Sequence, residues 1–328
     1  MLAILLLGMV VGCGVQGEGM SAPLITIGIT CFKEGDWLLE CWESVLAQTD
    51  ERWTAVLVMD GGASVRTQEV FESLSHLKLR KYAFTEHKGP YAARNKAFEL
   101  TETPYHFYLD GDDLLPPDAV QLVLDAFDRY PEAGYVYGDF QVFGARNGLW
   151  SFGPKYSAED LIGGDHPPGS CAYKKAVWEQ LGGFCDELAD GMADYDFFIG
   201  AAERGISGHH CGRILCHYRV GHQGKVSGSY RSRYHEKCEI IIRRHPSFFA
   251  DPERRRKFMG MGYSISANVC FHAGDYIHAL EYAKRAAEFG ETEVLLRVQR
   301  NWRYRVPPWL VPFGNSAIRL ARLVGVLH

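Results

Sequence analysis

Between residues 24 and 137 the apolar positions alternate between two patterns. Leu24 to Thr30 is short, apolar and β-branched, without polar alternation, which predicts a strand buried on both faces. Glu34 to Gln48 switches to helical spacing, with Trp37, Leu38, Cys41, Trp42, Val45 and Leu46 on one face. Trp53 to Met59 predicts a second buried strand that ends at Asp60-Gly61-Gly62, and Val65 to Leu74 a helix. Leu79 to Ala83 reads as a third strand and Ala92 to Leu100 as a helix. Tyr105 to Leu109 is a fourth strand running into Asp110-Gly111-Asp112-Asp113. A helix follows from Pro117 to Arg129, where a first-turn proline sacrifices no hydrogen bond, and Tyr135 to Tyr137 opens another strand. Strands alternating with helices predict an α/β fold with a doubly wound, mostly parallel sheet. Ligands of such sheets bind beyond the carboxyl ends of the strands. The polar clusters Thr30 to Glu34, Asp60 and Asp110 to Asp113 all fall there, so one shared site is expected.

Composition narrows the classes. At 328 residues, 47% hydrophobic and 23% charged, the chain reads as one large domain with a smaller addition. A net charge of −5 argues against nucleic acid as a partner. The nine cysteines include no CxxC pair and fit reduced thiols. Leu2 to Val11 is apolar but too short to cross a membrane, which takes about 20 residues. Residues 1–20 therefore read as a dispensable extension ahead of Met20, with a membrane tether or a cleaved signal as the alternatives. Gly12 to Gly17 fits G-x-G-x-x-G, but Gly19 and Pro23 follow instead of the helix that a dinucleotide site requires, so that reading is rejected. No P-loop occurs.

Asp110, Asp112 and Asp113 place three carboxylates within four residues. Such crowding is unfavourable unless cations or solvent neutralise it. Hard divalent ions take oxygen ligands, Mg²⁺ commonly from one or two carboxylates and substrate phosphates. An acidic loop capping the next helix is the plainer alternative.

From about Pro23 to Ser229 the chain resembles glycosyltransferase family 2, with the GT-A fold. The motifs occur in the family's order: Ile25 to Glu34, Ser44 to Thr49, Val58 to Ala63, Gly89 to Asn95, and Asp110-Gly111-Asp112 as the DxD element. The resemblance implies that Thr30, Phe32 and Glu34 line a nucleoside pocket and that Asp60 accepts a hydrogen bond from the base. It places Arg94 near the nucleotide, and Asp110 and Asp112 at ribose and metal. The implied cofactor is Mg²⁺ or Mn²⁺, bridging the diphosphate of a donor expected to be a UDP-sugar. Lys88 is a further phosphate candidate, with an exposed loop lysine as the alternative.

Gly182 to Glu187 and Ala193 to Phe198 resemble the family's acceptor-side turn and acidic segment. At the matching position Asp194 is the general base of an inverting transfer. Ala193 stands where the family usually has Glu, so Asp196 remains the alternative base; its plainer role is to cap a helix Phe197 to Arg204. Tyr218 to Ser227 resembles the closing motif, with His222 as metal ligand or diphosphate contact after an inserted Gly221.

The expected organisation is an extension at 1–20, a GT-A catalytic domain at 21–228 and a helical region at 229–328. Ala267 to Glu288 reads as a helix, turn and helix resembling one tetratricopeptide hairpin, which needs a partner surface. Ala317 to Leu327 is amphipathic and fits docking on the protein itself or peripheral contact with an anionic membrane. The functional expectation is sugar transfer to a glycan or lipid-linked acceptor, in cell-surface glycan or polysaccharide synthesis. The location would be cytoplasmic, with the inner membrane face as its peripheral variant. The rival is a non-catalytic nucleotide-sugar-binding or scaffold protein of the same fold.

Overall fold

The computed structural model describes residues 22–221 and 230–300. Four parallel strands form one half of an eight-stranded sheet: β1 (Ile25–Cys31), β2 (Trp53–Met59), β3 (Leu79–Ala83) and β4 (Tyr105–Asp110), in the order β3-β2-β1-β4. The other half is built from β5 (Tyr135–Gly144), β6 (Gly148–Trp150), β7 (Ala172–Lys174) and β8 (Gly208–Val220). β7 lies antiparallel between β4 and β5, and β8 runs parallel to β5. Every residue of β1 is buried, because its neighbours cover its edges and helices cover both faces.

Helices α1 (Trp37–Leu46), α2 (Val65–Ser73), α3 (Pro90–Glu99) and α4 (Ala119–Arg129) connect the parallel strands. α4 starts two residues later than Pro117, because Asp118 is its N-cap. One apolar core packs Ile25, Ile27 and Ile29 against Leu38, Trp42, Val123 and Phe127. A second core, rich in aromatics, lies against α5 (Ala158–Gly163), α6 (Lys175–Leu181) and α7 (Ala193–Glu203).

The C-terminal helices are α8 (Tyr234–Arg244), α9 (Pro252–Ala273), α10 (Tyr276–Glu288) and α11 (Thr292–Arg300). Cys238, Ile241, Phe249 and Phe258 belong to the same aromatic core as Tyr195 and Phe198. α9 extends 15 residues upstream of Ala267, since Asp251 caps it and Pro252 begins it. Gly274, at φ +84°, ends it before α10. No helix among the described residues is long and apolar enough to cross a membrane.

Candidate active site

Parallel pairing puts the polar strand ends side by side. Thr30 is the register partner of Asp110, and Cys31 of Met59, the residue before Asp60. The Gly111 amide donates to the Thr30 carbonyl at 2.9 Å. A β-carbon at Gly111 would come within 2.8 Å of that oxygen, so only glycine lets the acidic loop turn this tightly.

Ligand atoms of Asp110, Asp112 and Asp113 lie within 4.8 Å of one another. Asp113 is committed to structure: it accepts from the Arg219 amide at 2.8 Å and contacts the Cys216 thiol. Arg219 also donates from Nε to the Asp112 carbonyl at 2.8 Å and pairs with Glu40 at 2.6 Å. The last strand thereby pins the acidic loop. Burial pushes the Glu34 carboxyl up to about 7, against the lowering pull of the Phe32 amide, and Asp112 and Asp110 add to the rise. The chemistry of this all-oxygen, charge-crowded donor set fits a hard divalent cation, which Asp110 and Asp112 could hold.

Asp110 accepts from the Tyr108 hydroxyl and pairs with Arg94 at 3.3 Å. The Arg94 guanidinium lies over the rings of Tyr91 and Tyr108, 4.6 and 4.4 Å from their centroids. The Tyr91 hydroxyl in turn donates to Asp194 at 2.9 Å. Burial, then the Asp194 charge, push the Tyr91 phenol well above its ordinary range, so it acts as a donor. A β-carbon at Gly169 would sit 2.9 Å from Asp194 Oδ2, so the glycine leaves that oxygen uncovered on this side.

Asp60 is buried and crowded with donors. Oδ1 accepts from the amides of Gly61 and Lys88 at 2.9 and 2.8 Å, and Oδ2 from the amide of Gly89 at 2.9 Å. His87 Nδ1 lies 2.7 Å from the same Oδ2, and its ring stacks on Phe32 at 4.8 Å. Lys88 contributes through its backbone; its side chain is exposed beside Glu86.

Residues 26–176 match the family model described as "Glycosyl transferase family 2". The likeness to this family covers that segment of the chain. Chondroitin synthase of Escherichia coli is 29% identical over 62% of this chain and 30% of its own length. An uncharacterised glycosyltransferase of Haemophilus influenzae is 28% identical over 58% of this chain and 73% of its own. The chain spans 24% and 30% of the lengths of two of the curated relatives it matches. Among solved structures, S. aureus TarS 1–349 in complex with UDP-GlcNAc is similar at a TM-score of 0.60 and 14% identity, over 84% of this chain and 92% of that one. The mannosyltransferase PcManGT of Pyrobaculum calidifontis, in complex with GDP-Man and Mn²⁺, is similar at 0.53 and 17%, over 85% and 86%. These likenesses establish the GT-A fold.

The structure separates the two acidic residues of the 193–198 segment. The helix begins at Ala193, four residues ahead of the expected Phe197, so both Asp194 and Asp196 lie in its first turn but meet different partners. Asp196 is 2% exposed and held by Arg244 Nε at 3.0 Å and His245 Nε2 at 2.9 Å. His222 lies outside the described residues, as do the first twenty residues and the amphipathic stretch near the C-terminus. His209 stacks on Tyr130, and His210 contacts Asp139 at 3.1 Å, both away from the acidic loop. Tyr91, Arg219, Gly169 and His87 had no assigned part in the sequence reading. Tyr91 lies inside the Gly89 to Asn95 motif and Arg219 inside the closing one, which was the available signal. Gly169 and His87 carry no signal beyond their residue type.

Proposed function

We propose that this chain transfers a sugar from a UDP-sugar to an acceptor hydroxyl, with inversion at the anomeric carbon and with Mg²⁺ or Mn²⁺ as cofactor. The observation that carries the proposal is the continuous polar chain from Asp110 through Arg94 and Tyr91 to Asp194. It links the crowded carboxylates of the acidic loop, proposed here as the cation holders, to the hydrogen-bonded carboxylate of Asp194, and this supports the reading.

The roles follow from the chemistry. Phe32 offers a stacking face and Asp60 an acceptor for the base. Asp110 and Asp112 would hold the metal and the ribose, and the bound metal would supply Lewis-acid stabilisation of the leaving diphosphate. Arg94 stays cationic beside the Asp110 charge, although burial alone would lower its pKa. Asp194, oriented by Tyr91, takes the proton of the acceptor hydroxyl as that oxygen attacks. A positioned base contributes about 10²–10⁴ in rate. The name of the similar chondroitin synthase supports a growing glycan as the acceptor class.

The decisive measurement is turnover with a panel of nucleotide sugars, in Mg²⁺, Mn²⁺ or EDTA, with Asp112→Ala and Asp194→Asn alongside. One donor should turn over only with metal, and both substitutions should abolish transfer. Binding without turnover across acceptors would favour a binding protein of the same fold. Failure to bind any donor would end the proposal.

A further inference from the structure

We propose that helix α8 positions Asp194, so that the C-terminal helices are part of the transfer site; this rests on Asp194 being the base proposed above. The turn before Asp194 holds a demanding conformation. Met192, at φ 72°, is the only non-glycine residue at positive φ among the described residues, and it precedes α7 without a side-chain cap. Such a conformation persists only where its surroundings enforce it. Gly191 is pressed by the Tyr230 ring, which would lie 2.3 Å from a β-carbon there.

The enforcing contacts come from α8 and the residues flanking it. Lys237, its side chain 9% exposed, pairs with Asp190, and Arg233 reaches the same carboxylate at 3.8 Å. Beyond Asp194, Arg244 and His245 hold Asp196. Lys237 and Arg244 are seven residues, about two turns, apart and so share one face of α8. Asp194 is thus strung between two ion-paired anchors on one helix. The carboxylate of the Lys237–Asp190 pair is 42% exposed, so the pair by itself adds little to stability. Its place beside the strained turn at Met192 argues for the geometry it imposes.

The test uses the full chain with Lys237→Met, which keeps the apolar stem, and Lys237→Arg, which restores the charge. Hydrogen exchange of the amides of residues 189–195 should rise in the Met variant and return toward wild type in the Arg variant. Transfer kcat should fall about ten- to hundredfold in Lys237→Met while the Kd for UDP stays within about twofold, as expected for a displaced catalytic group. Unchanged exchange overturns the proposal, as does unchanged kcat in a variant whose exchange has risen. A wild-type chain that neither binds UDP nor turns over a UDP-sugar sinks the donor reading instead, and the anchoring is then decided by exchange and its rescue alone.

Discussion

Asp194 and Asp196 are two residues apart and differ in everything that matters to chemistry. One accepts from Tyr91 in a line of groups leading to the acidic loop; the other is sealed against Arg244 and His245. Asp194→Asn should therefore abolish transfer and leave UDP affinity unchanged by titration calorimetry. Asp196→Ala should instead cost about 3 kcal/mol of stability, read by urea unfolding, because it strands the buried His245 and removes the partner of the half-buried Arg244. Asp60 supports a second prediction. Three backbone amides already fill most of its acceptor capacity, and the His87 ring takes the rest while stacked on Phe32. A base seated on Phe32 and Asp60 must displace that ring. His87→Ala should tighten UDP about three- to tenfold, the loss of one competing hydrogen bond and one stacking contact. A weaker Kd would mean that His87 assists the base.

At the scale of elements, the adjacent strands β1 and β4 leave no slack. His106 on β4 stacks on Phe98 of α3 at 3.7 Å and lies beneath Gly28 of β1. Burial, with the Lys175 charge adding, lowers its pKa to about 3 from an ordinary 6.5. A lowered folded-state pKa means that the unfolded chain takes up the proton first. The stability tied to neutral His106 is full above about pH 6.5 and is lost as pH falls toward 3. At pH 5 the deficit is about 2 kcal/mol, at about 1.4 kcal/mol per unit. Urea unfolding at pH 7 and pH 5 should show that drop in the wild type and a smaller one in His106→Gln. Equal drops would refute the assignment. The polar character of this helix–strand junction was not read from the sequence, because β4 looked simply aromatic and apolar. The strands themselves were legible, since β1, β2 and β4 are continuous apolar runs ended by acid and glycine.

The whole molecule shares one aromatic core between the sheet and the helices after residue 230. Ile241, Phe249 and Phe258 pack with Tyr195, Phe198 and Tyr173. Burying each such side chain stabilises by about 1.5–3 kcal/mol, so several together exceed a small domain's usual margin. A chain cut to residues 21–228 should lack cooperative unfolding by circular dichroism, whereas a chain cut after residue 274 should retain it. Folding of the shorter piece with native stability would show that the core is less shared than its packing indicates. The sequence by itself determined the strand order of chemistry: which runs become buried strands, and which carboxylates stand at their ends. Those properties are local, set by periodicity and by the turn residues that terminate each run. Only the tertiary structure showed that Asp194 accepts from Tyr91 while Asp196 is held by Arg244 and His245, that Arg219 pins the acidic loop, and that α8 contacts the turn before Asp194. Those contacts join residues from about 40 to over 100 positions apart, a separation at which neither periodicity nor turn chemistry carries a signal.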